Sequence, residues 1–327
     1  MEIISKTERG YFSKDKIISQ EKTRIRTILR FDWPFATGSV ELSKDIQCEL
    51  LSENFFWALE RGFIEEDATI LTIMLSQGYI SGKSKSLSLR NIKFFPTFVQ
   101  SGSYVEGFFK QEDLLKKYYF KNYFPALDIV GRQIYPIIDN LSHLNCLLDV
   151  GAEMIQIRIK NKNDTEVFNV LERAVKITER YPSVKLFIND YWQSAIELGV
   201  YGVHLGQTDL LDADLKKISD AGLRLGLSTH SFWEVSFALK FYPSYIACGP
   251  VFPTRVKSMP WVPQTETNLD YWCKLLPVPV VAIGGINYSN LKKVRQTQAR
   301  IISLISAITN SASPSSEYIK YKNLWET

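Results

Sequence analysis

The feature that most constrains this chain is a recurrence of element type. From about residue 133 onward, short β-branched, apolar runs return at 134–138, 154–159, 185–188, 202–205, 224–227, 245–251, 280–283 and 301–305. Each of the first seven is followed by a segment with helical periodicity. In 166–180, for example, Val167, Val170, Leu171, Ala174 and Ile177 share one face. Most of the runs are apolar throughout rather than alternating, the pattern of parallel strands covered on both faces. Eight strands alternating with helices predict a (β/α)8 TIM barrel at the small end of its size range. A doubly wound open sheet is the other architecture such alternation allows. The barrel is expected over 132–312, after a linker at 121–131 and before a C-terminal tail at 313–327.

Residues 1–120 read as a smaller, α-rich or α+β accessory domain. The stretch 23–32 (TRIRTILRFD) alternates basic with apolar residues, as an edge strand with a solvated face would. Segments 45–61 and 65–77 read as helices with acidic residues near their starts, and 91–124 is crowded with Phe and Tyr. Composition narrows the partners. The 39 basic and 35 acidic residues give a net charge of only +4, spread over both parts of the chain. No basic arm is present to bind nucleic acid or an anionic membrane. The first residues lack an apolar signal core, and no run of about 20 apolar residues occurs. A cytoplasmic protein acting on small molecules is expected, with homo-oligomerisation left open. Four cysteines without CxxC spacing argue against a zinc site or disulfide framework, and three histidines against a polyhistidine metal centre.

In a barrel of this kind the active face lies just past the C-terminal strand ends. Those positions carry Gln156, Arg158 and Lys160 after the second strand and Asn189-Asp190 after the third. Gly206-Gln207-Thr208-Asp209 follows the fourth strand and Ser228-Thr229-His230 ends the fifth. The sixth opens into Gly249–Lys257, the seventh ends at Gly284-Gly285, and the eighth at Ser306. Asp190 and Asp209 fall at adjacent strand ends. Two carboxylates about 4 Å apart repel by roughly 4 kcal/mol at an effective dielectric near 20, so a cation is expected between them. Oxygen ligands favour Mg²⁺. Arg158, Lys160 and Lys257 would supply positive charge for a diphosphate. Backbone N–H groups near Gly284, Gly285 and Ser306 would form a second anion site. Two phosphate sites and a metal describe a transferase with two phosphorylated substrates.

These residues carry a resemblance. QIRIK at 156–160, FINDYWQSAI at 187–196, YGVHLGQTDL at 201–210, LRLGLSTH at 223–230, GPVFPTRVKSMP at 249–260 and VAIGGI at 281–286 are together similar to the thiamine phosphate synthases, especially the enterobacterial type. The resemblance implies Mg²⁺-dependent condensation of hydroxymethylpyrimidine diphosphate with hydroxyethylthiazole phosphate, giving thiamine phosphate and pyrophosphate. It implies a dissociative reaction in which stabilising the leaving group matters more than a general base. By match to the family motifs, Asp190 and Asp209 would hold Mg²⁺. Arg158, Lys160, Asn189, Ser228 and Lys257 would bind the diphosphate, with Arg158, Lys160, Ser228 and Lys257 as the catalytic set. Gln156 would bond the pyrimidine. Thr254 would contact the thiazole phosphate, and the backbone of Gly285, Ile305 and Ser306 its phosphate. Residues 51–79 faintly resemble the C-terminal part of a hydroxymethylpyrimidine phosphate kinase, without its anion hole, and would be a non-catalytic remnant.

Three departures from the family pattern stand out. Val256 replaces a hydroxyl residue before Lys257, Thr265-Glu266 follows Pro263-Gln264 where the family has glycine, and Gln298-Ala299-Arg300-Ile301 replaces a Gly-Ala-x-Gly segment. They keep two alternatives open, a related thiazole tautomerase and a catalytically weakened thiamine-phosphate binder. An isomerisation needs no diphosphate site, which speaks against the first. His230 is expected as a neutral neighbour of the site, and His204 and Cys248 as structural.

Overall fold

The computed structural model of the chain describes residues 2–7, 10–18, 25–33, 36–42, 48–60, 63, 65–80, 97–98, 124–160, 163–254 and 263–326. Two compact units emerge, one formed by Met1–Tyr119 with Ser231–Lys240, the other by Phe120–His230 with Phe241–Thr327.

The first unit holds an antiparallel sheet in the order β1 (Glu2–Thr7), β2 (Gly10–Ile18), β3 (Ile25–Trp33), β4 (Ala36–Leu42), β5 (Thr97–Phe98). The stretch expected as an edge strand is β3, and it is paired on both sides, Ile28 with Asp15 and with Glu41. Helices α1 (Cys48–Leu59) and α2 (Glu65–Ile80) stand where the sequence placed them. Leu51, Phe55, Ala58, Ala68, Leu71 and Met74 are buried, and Asn54 Nδ2 donates to Ser76 Oγ at 2.9 Å to tie the two helices together. The segment Ser231–Lys240 belongs to this unit. Its residues Phe232–Ala238 are all buried, Phe63 meets Phe232 edge-on at 6.0 Å, and Asp67 accepts a hydrogen bond from the Phe232 N–H.

In the second unit the strands are β6 (Gln133–Ile138), β7 (Met154–Ile157), β8 (Lys185–Asn189), β9 (Gly202–Leu205), β10 (Arg224–Thr229), β11 (Tyr245–Cys248), β12 (Val280–Ile283) and β13 (Ile301–Leu304). All pair in parallel with their sequence neighbours, and β13 returns to β6, Ile302 opposite Ile134, closing the barrel. Closure removes the doubly wound alternative. The helices of this unit are α3 (Leu141–Leu148), α4 (Asp164–Thr178), α5 (Trp192–Glu197), α6 (Asp209–Asp212), α7 (Leu215–Asp220), α9 (Thr265–Leu275), α10 (Tyr288–Arg295), α11 (Ser306–Thr309) and α12 (Pro314–Glu326), while α8 (Phe232–Ala238), between β10 and β11 in sequence, belongs to the first unit. Asparagine starts several of them. Asn140, Asn163 and Asn287 each accept from a backbone N–H of the first turn, a cap that satisfies an otherwise orphaned donor.

Period-two alternation points Tyr135, Met154, Phe187, Tyr245, Ala247, Val281 and Ile301 into the bore, where they form one buried cluster. The rings of Tyr135, Phe187 and Tyr245 meet edge to face at 5.5–6.0 Å. Gly226 makes this possible, since a Cβ there would lie 2.1 Å from the Tyr245 ring.

One departure from the sequence reading concerns the end of the unit. Residues 313–327 were expected as a tail, yet α12 buries Tyr318, Tyr321 and Trp325, and Trp325 Nε1 donates to Gln133 O at 3.0 Å. It follows the short α11 after the last barrel strand. Thr265, standing where the family has glycine, has φ +61°, a conformation costly for a β-branched residue. Its N–H is nevertheless committed to Val251 O at 2.8 Å. Relief of roughly 1–2 kcal/mol of strain exceeds the extra unfolded-state entropy of glycine, so Thr265→Gly should stabilise by about 1 kcal/mol. A chemical-denaturation midpoint that is unchanged or lower would refute this.

Candidate active site

The end of β8 turns sharply at Asp190, whose φ of +65° is in the left-handed region that Asp tolerates better than most residues. Its N–H donates to His204 O at 3.0 Å, tying the turn to β9. Its carboxylate forms an ion pair with Lys160 from the loop after β7. Asp209, first residue of α6, accepts from Gly206 N at 2.8 Å and lies within hydrogen-bonding reach of Asp190. Burial holds the Asp209 carboxyl above its ordinary range, and the Asp190 charge adds to this. Gly206 N–H and Lys160 pull the other way. The two aspartates placed together from the sequence do meet. Like charges facing one another beside a single lysine, all hard oxygen donors, fit a divalent cation such as Mg²⁺ better than they fit each other.

Around this pair lie buried amides. Gln156 is 1% exposed, Asn189 5% and Gln207 6%. Among the described residues, Gln156 Oε1, Asn189 Nδ2 and Gln207 Oε1 have no hydrogen-bond partner. Buried polar atoms are rarely left so, and the first two belong to residues expected to bind the pyrimidine and the diphosphate. Arg158 is half-buried, its N–H bonded to Ile138 O at 2.8 Å. Ser228 Oγ lies 2.8 Å from His204 Nε2, and Gln207 Nε2 donates to Ser228 O at 2.7 Å.

The residues expected to form a second anion site gather at the ends of β12 and β13. Ile283 is opposite Ser303, so Gly285 and Ile305 fall level at neighbouring strand ends. Gly285 has φ +68°, and a Cβ there would stand 2.6 Å from Phe252 O and Pro253 O. Ser306 opens α11 directly after Ile305. Thr254 is half-buried. Lys257, with Val256, lies outside the described residues.

Three participants were not singled out for the site from sequence, where His204 was expected as structural and the two tyrosines were not named. Tyr135, Tyr245 and His204 are bonded in series between Gln156 and Ser228, at 2.9, 3.0, 2.8 and 2.8 Å. Burial drops the His204 pKa to about 4, so its ring is neutral. The available signal was alternation, which aims a tyrosine hydroxyl from each of two apolar runs into the bore. Cys248 is buried with its thiol pushed up to about 12 by burial, inert as expected.

A closed parallel barrel with a carboxylate pair and its charged groups at the C-terminal strand ends is the architecture of a barrel enzyme. The family model for thiamine monophosphate synthase matches residues 129–308, and the chain belongs to that family. It is 46% identical over 180 residues to the thiamine-phosphate synthase of Salmonella agona (strain SL483), covering 55% of this chain and 85% of that protein. To the enzyme of Yersinia pseudotuberculosis serotype O:1b it is 46% identical over 177 residues, 54% of this chain and 82% of the relative. Among solved structures, the thiamine phosphate pyrophosphorylase from Pyrococcus furiosus superposes with a TM-score of 0.52 at 27% identity, over 60% of this chain and 97% of that one. No helix among the described residues is long and apolar enough to cross a membrane.

Proposed function

We infer that the chain is a thiamine phosphate synthase, a transferase joining hydroxymethylpyrimidine diphosphate to hydroxyethylthiazole phosphate. The observation that carries this is the Asp190–Asp209 pair with Lys160, set beside buried amides whose free ends match a pyrimidine and a diphosphate. A barrel that only isomerised a thiazole phosphate would use the second anion site but would need neither the carboxylate pair nor a diphosphate site.

In this reading the methylene–oxygen bond of the pyrimidine breaks and the diphosphate departs with the electron pair. The thiazole nitrogen then forms the new carbon–nitrogen bond. Asp190 and Asp209 hold Mg²⁺, which when bound supplies counter-charge to the leaving group. Arg158, Lys160, Asn189, Ser228 and Lys257 bind the diphosphate. Gln156 orients the pyrimidine, and Thr254 contacts the thiazole phosphate. The Gly285–Ile305–Ser306 backbone holds that substrate's phosphate. The preorganised donors act where charge develops. Residues 1–120 form an accessory unit, and the setting is cytoplasmic.

The test is direct. Purified protein, both substrates and Mg²⁺ should yield thiamine phosphate with equimolar pyrophosphate, and EDTA should abolish the reaction. Absence of product at high protein concentration would overturn the assignment, and product formation in EDTA would overturn the metal.

A further inference from the structure

We propose that Tyr135, Tyr245 and His204 form a one-way hydrogen-bond relay across the bore that sets which face of the Gln156 amide meets the pyrimidine and frees the Ser228 hydroxyl to donate to the diphosphate. The inference rests on the synthase reading, which names the groups at the relay's two ends.

Gln156 Nε2 donates to Tyr135 Oη at 2.9 Å. Tyr135 Oη, now an acceptor, has one proton to give, and the other partner at 3.0 Å is Tyr245 Oη. Tyr245 in turn gives its proton to His204 Nδ1 at 2.8 Å, which must therefore be bare. A neutral imidazole then carries its proton on Nε2 and donates to Ser228 Oγ at 2.8 Å. The serine proton is left unspent by the relay. Each hydroxyl has one hydrogen and a buried donor left unspent is costly, so with every proton used, reversing one link reverses every link. The reversed chain would turn the amide N–H₂ of Gln156 toward the site and commit the Ser228 proton to His204.

The walls hold this order in place. Tyr135 and Tyr245 are about 1% exposed or less, and the His204 ring stacks on Tyr245 at 5.7 Å and 18°. Burial pushes both phenols up, keeping each protonated and able to donate. The same amide orientation leaves Gln156 Oε1, a buried acceptor without a partner, as the free atom. An acceptor there selects an exocyclic amine and disfavours an oxo group in its place. The three residues are positioning residues that act through Gln156 and Ser228.

The test uses the full chain. Tyr245→Phe removes one hydroxyl and keeps the ring. It should raise KM for the aminopyrimidine diphosphate about ten-fold, the effect of one misdirected buried hydrogen bond. KM for the thiazole phosphate should not move. Discrimination against the 4-oxo analogue of the pyrimidine substrate should fall by a similar factor. Tyr135→Phe should behave alike, whereas Tyr201→Phe, whose hydroxyl accepts from Asp128 N outside the relay, should match the unmodified protein. Nitrogen NMR reads the relay without turnover, since the chain has only three histidines. His204 should be the Nε2–H tautomer, becoming a mixture in Tyr245→Phe. A His204 proton on Nδ1, unchanged discrimination in both variants, or equal rises in both KM values would overturn the relay. Failure of the unmodified protein to make thiamine phosphate would overturn the synthase reading alone, the tautomer still deciding the relay.

Discussion

Asp209→Asn should lower turnover on the order of a hundred-fold or more while leaving the apo protein more stable than the original. Both directions follow from one observation. The Asp209 carboxyl is buried beside Asp190, and both effects raise its pKa. A group whose folded pKa is raised favours folding below its unfolded pKa, near 3.8. That contribution is lost as pH rises through the folded value. At neutral pH the ionised Asp209 therefore opposes folding. Asparagine keeps the acceptor for Gly206 N–H and removes the charge. Activity moves the other way, because preorganised charge aimed at a leaving group is worth about 10²–10³ in rate per element. Two measurements check this. Thermal melts in EDTA should show the variant above the unmodified protein, and Mg²⁺ should raise the melting temperature of the unmodified protein far more than that of the variant. A variant with full activity, or one whose melt rises equally with Mg²⁺, would remove Asp209 from the metal site.

How much of this was legible depends on where each signal is written. The eight strands were readable because parallel strands covered on both faces leave uninterrupted apolar runs, such as Tyr245–Cys248. The carboxylate pair was readable because a strand end fixes position before any contact is known. The relay was hidden by the same patterning, since a tyrosine in an apolar run looks like packing, and its hydroxyl partners sit on strands up to 110 residues away. In the first unit, the pairing of β3 on both sides depends on strands distant from its own pattern. α12 was misread for a chemical reason. It exposes its aliphatic residues, Ile319 at 42% and Leu324 at 46%, and buries amphipathic rings instead. A count of aliphatic periodicity cannot find that face.

Trp325→Ala should accordingly be among the most damaging single changes in the chain, costing about 3–5 kcal/mol as buried Trp-to-Ala changes do. Its side chain is fully buried. Its Nε1 caps Gln133 O at the first residue of β6, and the Arg132 guanidinium stacks over its ring at 4.6 Å. Gln133 N–H is bonded to Arg300 O at 2.7 Å, so the tryptophan covers the seam where the barrel closes on itself. The alanine leaves a cavity and a carbonyl deprived of its donor at that seam. On the same helix, Ile319→Ala should shift stability by no more than about 0.5 kcal/mol, because its side chain faces solvent. Denaturant unfolding of the two variants separates the helix from a tail. A tail would lose nothing at either position, a conventional apolar face would lose more at Ile319, and only a helix docked by its aromatic edge makes Trp325 the costly one.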